Sequence, residues 1–212
     1  SSFTNNSVER YNGPFLPQST FLSQFVTAGS GGLNVPRGVL FGPDGNLYVA
    51  SASAGPDQIL RYDGVSGAPL GAFATGGGLN DPREIVWGPD GNLYVANAGG
   101  DDVIQINYLT GAVSQFVATA AGGLSNPSGI TFGSDGNLYV TSTGGGGNVN
   151  VKRFFGPNSA TPGVFINTIV ANGTLSDPRD LAFGPDFNAD GAPDLYVTND
   201  VGFSTNDNVR VY

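Results

Sequence analysis

Short apolar runs separated by glycine-rich turns recur along the whole chain. One such unit spans residues 36–49, and near-copies follow at residues 82–95 and 127–140. A fourth copy begins at Pro178, breaks off after Gly184 and resumes at Asp194. Self-similarity at a fixed period indicates one supersecondary unit that is repeated and stacked on its neighbours.

Each unit predicts four short strands. The first two runs, Gly-Val-Leu-Phe and Asn-Leu-Tyr-Val in the first copy, flank the turn sequence Gly-Pro-Asp-Gly and so predict a hairpin. A third and a fourth β-branched or aromatic run follow at residues 59–62 and 70–73 and at the matching places of later copies. The period of roughly 45 residues is typical of propeller blades. We therefore predict an all-β fold, a single β-propeller domain over residues 1–212 whose four repeats form a closed four-bladed ring or an open arc.

The repeat is out of phase at the two ends of the chain. Residues 8–11 match the third run of a blade and residues 21–25 match the fourth, whereas residues 209–212 are again a third run. Residues 1–34 are thus predicted to complete the last blade or to be exchanged with a neighbouring subunit. Residues 8–11 and 209–212 both match the third-strand position of the last blade, so one of them is surplus. We predict that the strand of Val8, Glu9, Arg10 and Tyr11 pairs with another subunit. The alternative is that this strand packs on its own ring as an extra outer strand.

Composition and charge exclude several function classes. A net charge of −9, with Lys152 as the only lysine, argues against nucleic acid and anionic membrane surfaces as partners, and no apolar run approaches a spanning length. Histidine and cysteine are absent, which removes histidine-dependent and thiolate chemistry. A start at Ser1 without methionine, with many Asn, Ser and Thr residues, fits removal of a signal peptide and predicts an extracellular or cell-surface location.

The repeated Pro-x-Gly-hydrophobic and Asp-Gly-Asn-Leu-Tyr-Val-Ala segments resemble NHL-repeat propellers and the related gluconolactonase-like group. Such proteins usually have six blades. In the gluconolactonase-like group, Glu, Asn and Asp residues hold a divalent ion at the central channel. The positions that this resemblance suggests here are Glu84, Asp180, Asn97, Asn199 and Asp200. They come from two blades only, and the equivalent positions elsewhere are Gly or Ser, so we interpret them as the polar lining of a wet channel and assign no catalytic residue.

The insertion in the fourth copy resembles the Asp-x-Asn-x-Asp-Gly-x-x-Asp loops of FG-GAP propeller blades. The resemblance implies a structural Ca²⁺ with side-chain ligands Asp186, Asn188, Asp190 and Asp194 and a carbonyl ligand from Ala192. The competing interpretation is an Asp-rich solvated turn without a metal.

Two further patterns leave alternatives open. An arginine follows the repeat proline in three of the repeats, at Arg37, Arg83 and Arg179. This pattern predicts either a cationic ring that recruits an anionic partner or pairing of each arginine with a nearby Asp or carbonyl in its blade.

The N-glycosylation pattern is satisfied at Asn5 and Asn172, but it also occurs by chance.

Together these patterns predict a non-catalytic secreted propeller that forms a homo-oligomer or homopolymer through terminal strand exchange. The alternatives are a monomeric propeller that binds a protein or glycan and a metal-dependent lactonase-like hydrolase.

Overall fold

The chain folds almost entirely into short antiparallel strands. The computed structural model describes residues 6–13, 20–52, 56–144, 149–171, 173–200 and 208–212, so the predicted glycosylation sites Asn5 and Asn172 lie outside the described residues. The strands are β1 (Val8–Tyr11), β2 (Phe21–Val26), β3 (Pro36–Phe41), β4 (Leu47–Ser51), β5 (Gln58–Tyr62), β6 (Pro69–Thr75), β7 (Pro82–Trp87), β8 (Leu93–Asn97), β9 (Asp102–Ile106), β10 (Val113–Val117), β11 (Pro127–Phe132), β12 (Leu138–Ser142), β13 (Asn150–Phe154), β14 (Phe165–Val170), β15 (Pro178–Phe183), β16 (Leu195–Asn199) and β17 (Asn208–Val211). Single 3₁₀ turns occur at Ser30–Gly32, Ala98–Gly100 and Ala121–Gly123.

These strands form four blades and one hairpin. The first blade (β3–β6), the second (β7–β10) and the third (β11–β14) are four-stranded meanders, and the fourth (β15–β17) has three strands. Their inner strands pack side by side in the order β3, β7, β11, β15. The fold is therefore a four-bladed β-propeller, which confirms the predicted fold class. Strands β1 and β2, here called the N-terminal hairpin, form a separate two-stranded sheet.

The core lies between the blades as four hydrophobic layers. One layer joins the N-terminal hairpin to the first blade, and the others join the first to the second, the second to the third and the third to the fourth. A meander has two apolar faces, so each blade is buried only by its neighbours. None of these four layers joins the fourth blade to the N-terminal hairpin.

The repeated Asp-Gly-Asn-Leu-Tyr segment fixes a tyrosine at each blade junction. In the second blade, Asp90 accepts the backbone N–H of Asn92 at 3.2 Å and the hydroxyl of Tyr94 at 2.9 Å. Gly91 lies between them at φ 78°, a conformation that costs glycine little. The same aspartate–tyrosine bond recurs in the first and third blades, so these repeated residues stabilise the fold.

Two glycines allow the inner strands to approach closely. A Cβ added to Gly38 would lie 2.7 Å from the carbonyl oxygen of Arg83, and one added to Gly129 would lie 2.7 Å from the Cα of Asp180. The Pro-x-Gly pattern therefore marks the blades whose inner strand faces the backbone of the next blade. The second and fourth blades carry Glu84 and Asp180 at the aligned position.

Candidate functional site

The start of each inner strand contributes one polar residue to a small cavity in the propeller. Arg37, Arg83, Ser128 and Arg179 occupy the same position in the four repeats, and all of them line a cavity of about 140 Å³. Glu84 also lines it. The repeat thus brings three guanidinium groups and one carboxyl group together.

The arginines are engaged by aspartate and asparagine side chains. Arg37 donates to Asp81 at 3.1 Å, and Arg83 donates to Asp81 at 3.2 Å and to Asn126 at 2.9 Å. Arg179 forms ion pairs with Asp177 and Asp200. The prediction that each arginine pairs with an Asp or carbonyl of its own blade holds for Arg83 with Asp81 and for Arg179 with Asp177. It is wrong for Arg37, which bonds Asp81 of the next blade, and Arg83 makes a further bond to Asn126 of the third blade.

Glu84 is the titratable group most altered by this environment. Burial, followed by the nearby negative charge of Asp180, raises the pKa of Glu84 from 4.5 to about 6. Asp180 itself is exposed and accepts the N–H of Leu181 at 2.8 Å. Two of the residues suggested by the gluconolactonase-like resemblance, Glu84 and Asp180, therefore lie close enough for their charges to interact.

The asparagines that follow the second strands hold backbone. The Asn97 side chain is fully buried, accepts the N–H of Asn80 at 2.7 Å and donates to the carbonyl of Gly78. Asn199, also buried, accepts the N–H of Ser176 at 2.7 Å. Ser51 and Ser142 make the corresponding contact in the first and third blades. Asn and Ser alternate at this position because either one can anchor the segment that leads into the inner strand.

The insertion in the fourth blade is a turn closed by its own hydrogen bonds. Asp186 and Asn188 both accept the N–H of Asp190, at 3.2 and 2.9 Å, and Asp190 accepts the N–H of Ala192 at 2.9 Å. The buried carboxylate of Asp194 accepts a hydrogen bond from Nδ2 of Asn188 at 3.0 Å. Within the described ranges, no three His, Cys, Asp or Glu side chains are grouped so that they could hold a metal ion. Calcium binding stays a prediction, and it would require these carboxylates to turn toward a common point.

The predicted assembly strand is β1, and one of its edges has no partner strand within the described residues. It pairs with β2 through its other edge. Val8 is buried against the first blade, whereas Glu9 is half-buried and Arg10 and Tyr11 are exposed. Beside the open edge lies a cavity of about 350 Å³, which Arg10, Tyr11 and residues of the first blade line. This is the place that the first two strands occupy in a complete blade.

Sequence reasoning missed an aromatic contact that recurs at the blade junctions. Tyr48 packs edge to face against Trp87 of the next blade, with ring centroids 5.3 Å apart, and against Phe73 of its own blade at 5.0 Å. Equivalent pairs are Tyr94–Phe132 and Tyr139–Phe183. The signal was visible, because the second run of every repeat contains Leu-Tyr-Val and the first run ends in Phe or Trp.

Comparison with known proteins supports the fold and no more specific relationship. A scan of the sequence against protein-family models and a search of curated proteins find no match. Among solved structures, virginiamycin B lyase of Staphylococcus aureus with quinupristin is similar at a TM-score of 0.62 and 18% identity, over 99% of this chain and 64% of that one. The resemblance is one of fold.

Two further structures show the same relationship. A chain of the nidogen–laminin complex gives a TM-score of 0.67 at 18% identity, over 92% of this chain and 67% of that one. A gluconolactonase of Xanthomonas campestris gives 0.61 at 17%, over 91% and 62%. The chain spans less than two thirds of the lyase and of the lactonase. These propellers include enzymes and a protein of a binding complex, so the shared fold leaves the activity open.

Among the described residues, no helix is long and apolar enough to cross a membrane.

Proposed function

We propose that this chain is a non-catalytic extracellular propeller that assembles head to tail by exchanging terminal strands. The observation that carries the proposal is the presence of two third strands, β1 and β17, in two incomplete sheets. Within the described residues, the sheet of β1 has no strands at the first two positions of a blade, and the sheet of β17 has none at the fourth. An unpaired strand edge is a template for pairing with another chain. A contact between different surfaces of two copies is heterologous and builds rings or filaments.

The non-catalytic part of the proposal rests on what the polar residues do. Asn97 and Asn199 anchor backbone, and the arginines are held by aspartate and asparagine side chains. Glu84 and Asp180 are the remaining acidic pair, and they belong to two blades only. A lactonase-like site would need more convergent oxygen ligands at one point.

Removal of the assembly strand tests the proposal. We expect the full chain to associate in a concentration-dependent way in light scattering after size exclusion, and deletion of residues 1–12 to abolish association. The matched control deletes residues 208–212 at the other end, where every residue of β17 is exposed; this variant keeps its ability to associate. Fluorescence of Trp87, the single tryptophan, reports that the blades remain folded in both variants. A full chain that stays monomeric at all concentrations, or a 1–12 deletion that assembles like the full chain, contradicts the proposal.

Calcium is proposed as a structural ligand of the insertion in the fourth blade, through Asp186, Asn188, Asp190, Asp194 and the Ala192 carbonyl. The support is a set of hard oxygen donors within nine residues, the type that Ca²⁺ prefers. Ca²⁺ that binds the folded state raises the thermal unfolding midpoint. We expect this rise in the native chain and in Asp63→Asn, a control in another exposed turn, but not in Asp190→Asn. Equal midpoints with and without Ca²⁺ in the native chain contradict the site.

The two alternatives make different predictions. A monomeric propeller that binds a protein or glycan would show a single size in solution at every concentration. A lactonase-like hydrolase would show metal-dependent lactone hydrolysis that Glu84→Ala abolishes. The extracellular location is tested separately by fractionation of cells that express the full-length gene product.

A further inference from the structure

One aromatic contact between two residues recurs at the blade junctions of this protein. Each end of the molecule carries one of the two residues without its partner ring. At each internal junction, the tyrosine of a second strand lies against the aromatic residue that ends the inner strand of the next blade. The ring centroids are 5.3, 5.0 and 4.9 Å apart at the three junctions. Tyr48 and Tyr94 are fully buried and Tyr139 is 7% exposed, so the contact belongs to the core.

The N-terminal end carries the half that receives a tyrosine. Phe41 ends β3 at the position of Trp87, Phe132 and Phe183, but it is 56% exposed because no second strand precedes the first blade. Phe25 of β2 corresponds to Phe73, the residue on the other side of Tyr48. We call Phe25 and Phe41 the aromatic socket. Both line the cavity of about 350 Å³ beside β1.

The C-terminal end carries the half that inserts. Tyr196 of β16 aligns with Tyr48 and Tyr94, and it packs on Gly184 as Tyr48 packs on Gly42. Nevertheless Tyr196 is only half-buried, and Thr198, two residues further along the same face, is exposed. The corresponding residues of the first and second blades, Ala50 and Ala96, are fully buried. This face of the fourth blade therefore lacks the neighbour that the other blades have.

The residue that pairs with the repeat tyrosine on the adjacent third strand favours β1 over β17 as the third strand of the fourth blade. Tyr48 pairs with Arg61, and Tyr139 pairs with Arg153, whose guanidinium lies over the tyrosine ring at 5.6 Å. In β17 the residue opposite Tyr196 is Val211, which is 52% exposed. In β1 the aligned residue is Arg10, so this strand supplies the side chain that two complete blades use.

From these observations we infer that Tyr196 of one copy inserts into the aromatic socket of a second copy, while β1 of the second copy replaces β17 beside β16. The result is a composite blade of β15 and β16 from one copy and β1 and β2 from the next. This inference rests on the proposed self-assembly and names its interface. It also accounts for the surplus third strand, because β17 is the strand that gives way. Its four residues are all exposed, so its displacement exposes little apolar surface.

Crosslinking tests the interface directly, because the native chain contains no cysteine. The variants Phe41→Cys and Tyr196→Cys are mixed and treated with a short bis-maleimide. We expect a covalent dimer in the mixture and none with either variant alone. The positive control is a single chain with Gln105→Cys and Ser114→Cys, which lie opposite each other on adjacent strands and should crosslink within the monomer.

Three outcomes separate this inference from the proposed function. A chain that remains monomeric contradicts both. Association without a crosslink in the mixture contradicts the socket alone. A single chain that carries both Phe41→Cys and Tyr196→Cys is the third test. If it crosslinks only within the monomer, its own fourth blade fills the socket, which also overturns the inference.

A second measurement does not depend on crosslinking geometry. Phe41→Ala should raise the dissociation constant of the assembly by at least about tenfold, since buried aromatic anchors dominate interface energies. Leu109→Ala, which changes a large apolar residue that is 88% exposed on an outer turn, should leave the constant unchanged. Equal effects of the two substitutions contradict the socket.

Discussion

Glu84 shows how one residue of the repeat adapts to its place in the ring. The aligned position is glycine in the first and third blades, yet the second blade places a half-buried carboxyl group beside the cavity. Burial favours its neutral form, and the negative charge of Asp180 adds to this effect, so the pKa rises to about 6. When the pKa of a carboxyl group is higher in the folded state than in the unfolded state, ionisation of that group lowers the free energy of unfolding. The native state therefore loses stability as the pH rises from about 4.5 through 6.

Glu84→Gln should remove this pH dependence. Above pH 6 the variant should be more stable than the native chain by about 1 to 2 kcal/mol, from the size of the pKa shift, and below pH 4.5 the difference should vanish. Urea unfolding at several pH values measures this difference. The chain has only two glutamates, so carbon-13 labelling of glutamate carboxyls also reports the titration directly. A midpoint of 4.5 for the Glu84 signal would contradict the assignment.

Gly38→Ala should destabilise the junction between the first two blades. Its new Cβ would lie 2.7 Å from the carbonyl oxygen of Arg83 and 3.0 Å from the Cα of Glu84, and backbone cannot move aside as a side chain can. Overpacking of this kind typically costs about 1–3 kcal/mol of unfolding free energy. Gly13→Ala is the control, because nothing lies within 4 Å of its added Cβ. Similar midpoints of chemical unfolding for the two variants would show that the inner strands can separate freely.

At the scale of the blade, a tyrosine is held from both sides. The hydroxyl of Tyr94 donates to Asp90 at 2.9 Å and accepts from Gln105 at 2.6 Å, and its ring packs against Phe116 and Phe132. Burial, followed by the hydrogen bond to Asp90, raises the pKa of the Tyr94 hydroxyl. One side chain thus connects the turn of its own blade with the core of the next.

Tyr94→Ala and Tyr196→Ala compare the same repeat position with and without a covering blade. Loss of a fully buried aromatic ring typically costs about 3–5 kcal/mol of unfolding free energy, so we expect Tyr94→Ala to be severely destabilised. We expect a much smaller loss for Tyr196→Ala, because its ring has no following blade against it. Both are measured by denaturant unfolding at a concentration at which the chain is monomeric. Equal losses would indicate that the fourth blade is covered in solution.

The blades could be predicted from the sequence because each one repeats the same turn and strand motifs. The turn Gly-Pro-Asp-Gly and the runs around Tyr48, Tyr94 and Tyr139 are short-range signals, and they specify a hairpin wherever they occur. The side-chain hydrogen bonds between blades could not be predicted, because they join residues that are far apart in the sequence. The bonds from Arg37 to Asp81 and from Arg83 to Asn126 join different blades, so alignment of the repeats showed their recurrence but not their partners.

The candidate sites were less predictable for a related reason. The loop of Asp186, Asn188, Asp190 and Asp194 has ligand-type spacing, but the same oxygens can accept backbone N–H groups instead, and in the structure they do. Spacing alone does not choose between these uses. Similarly, Asn97 was interpreted from the sequence as part of the polar lining of a wet channel. This was wrong, because its side chain is fully buried and anchors the backbone of Gly78 and Asn80.

At the scale of the whole molecule, the series of blades around the propeller has two unequal ends. The second and third blades are covered on both faces, while the N-terminal hairpin and the fourth blade are each covered on one. In repeat proteins stability is roughly the sum of each unit and its interfaces, so units with one neighbour open more readily. The open edge of β1 and the exposed face around Tyr196 lie in these less protected units.

Hydrogen exchange should reveal this gradient and its change on assembly. At low protein concentration we expect amides of β8 and β12 to exchange slowest, and those of β1 and β16 to exchange faster, because opening an end unit breaks only one interface. At a concentration that gives assembly, protection should rise in β1 and β16 while β8 stays the same, since a composite blade covers only the ends. Mass spectrometry of peptic fragments resolves these strands, and β8 serves as the internal reference. Uniform protection at all concentrations would mean that neither end is open, and the molecule would then have no spare edge through which to assemble.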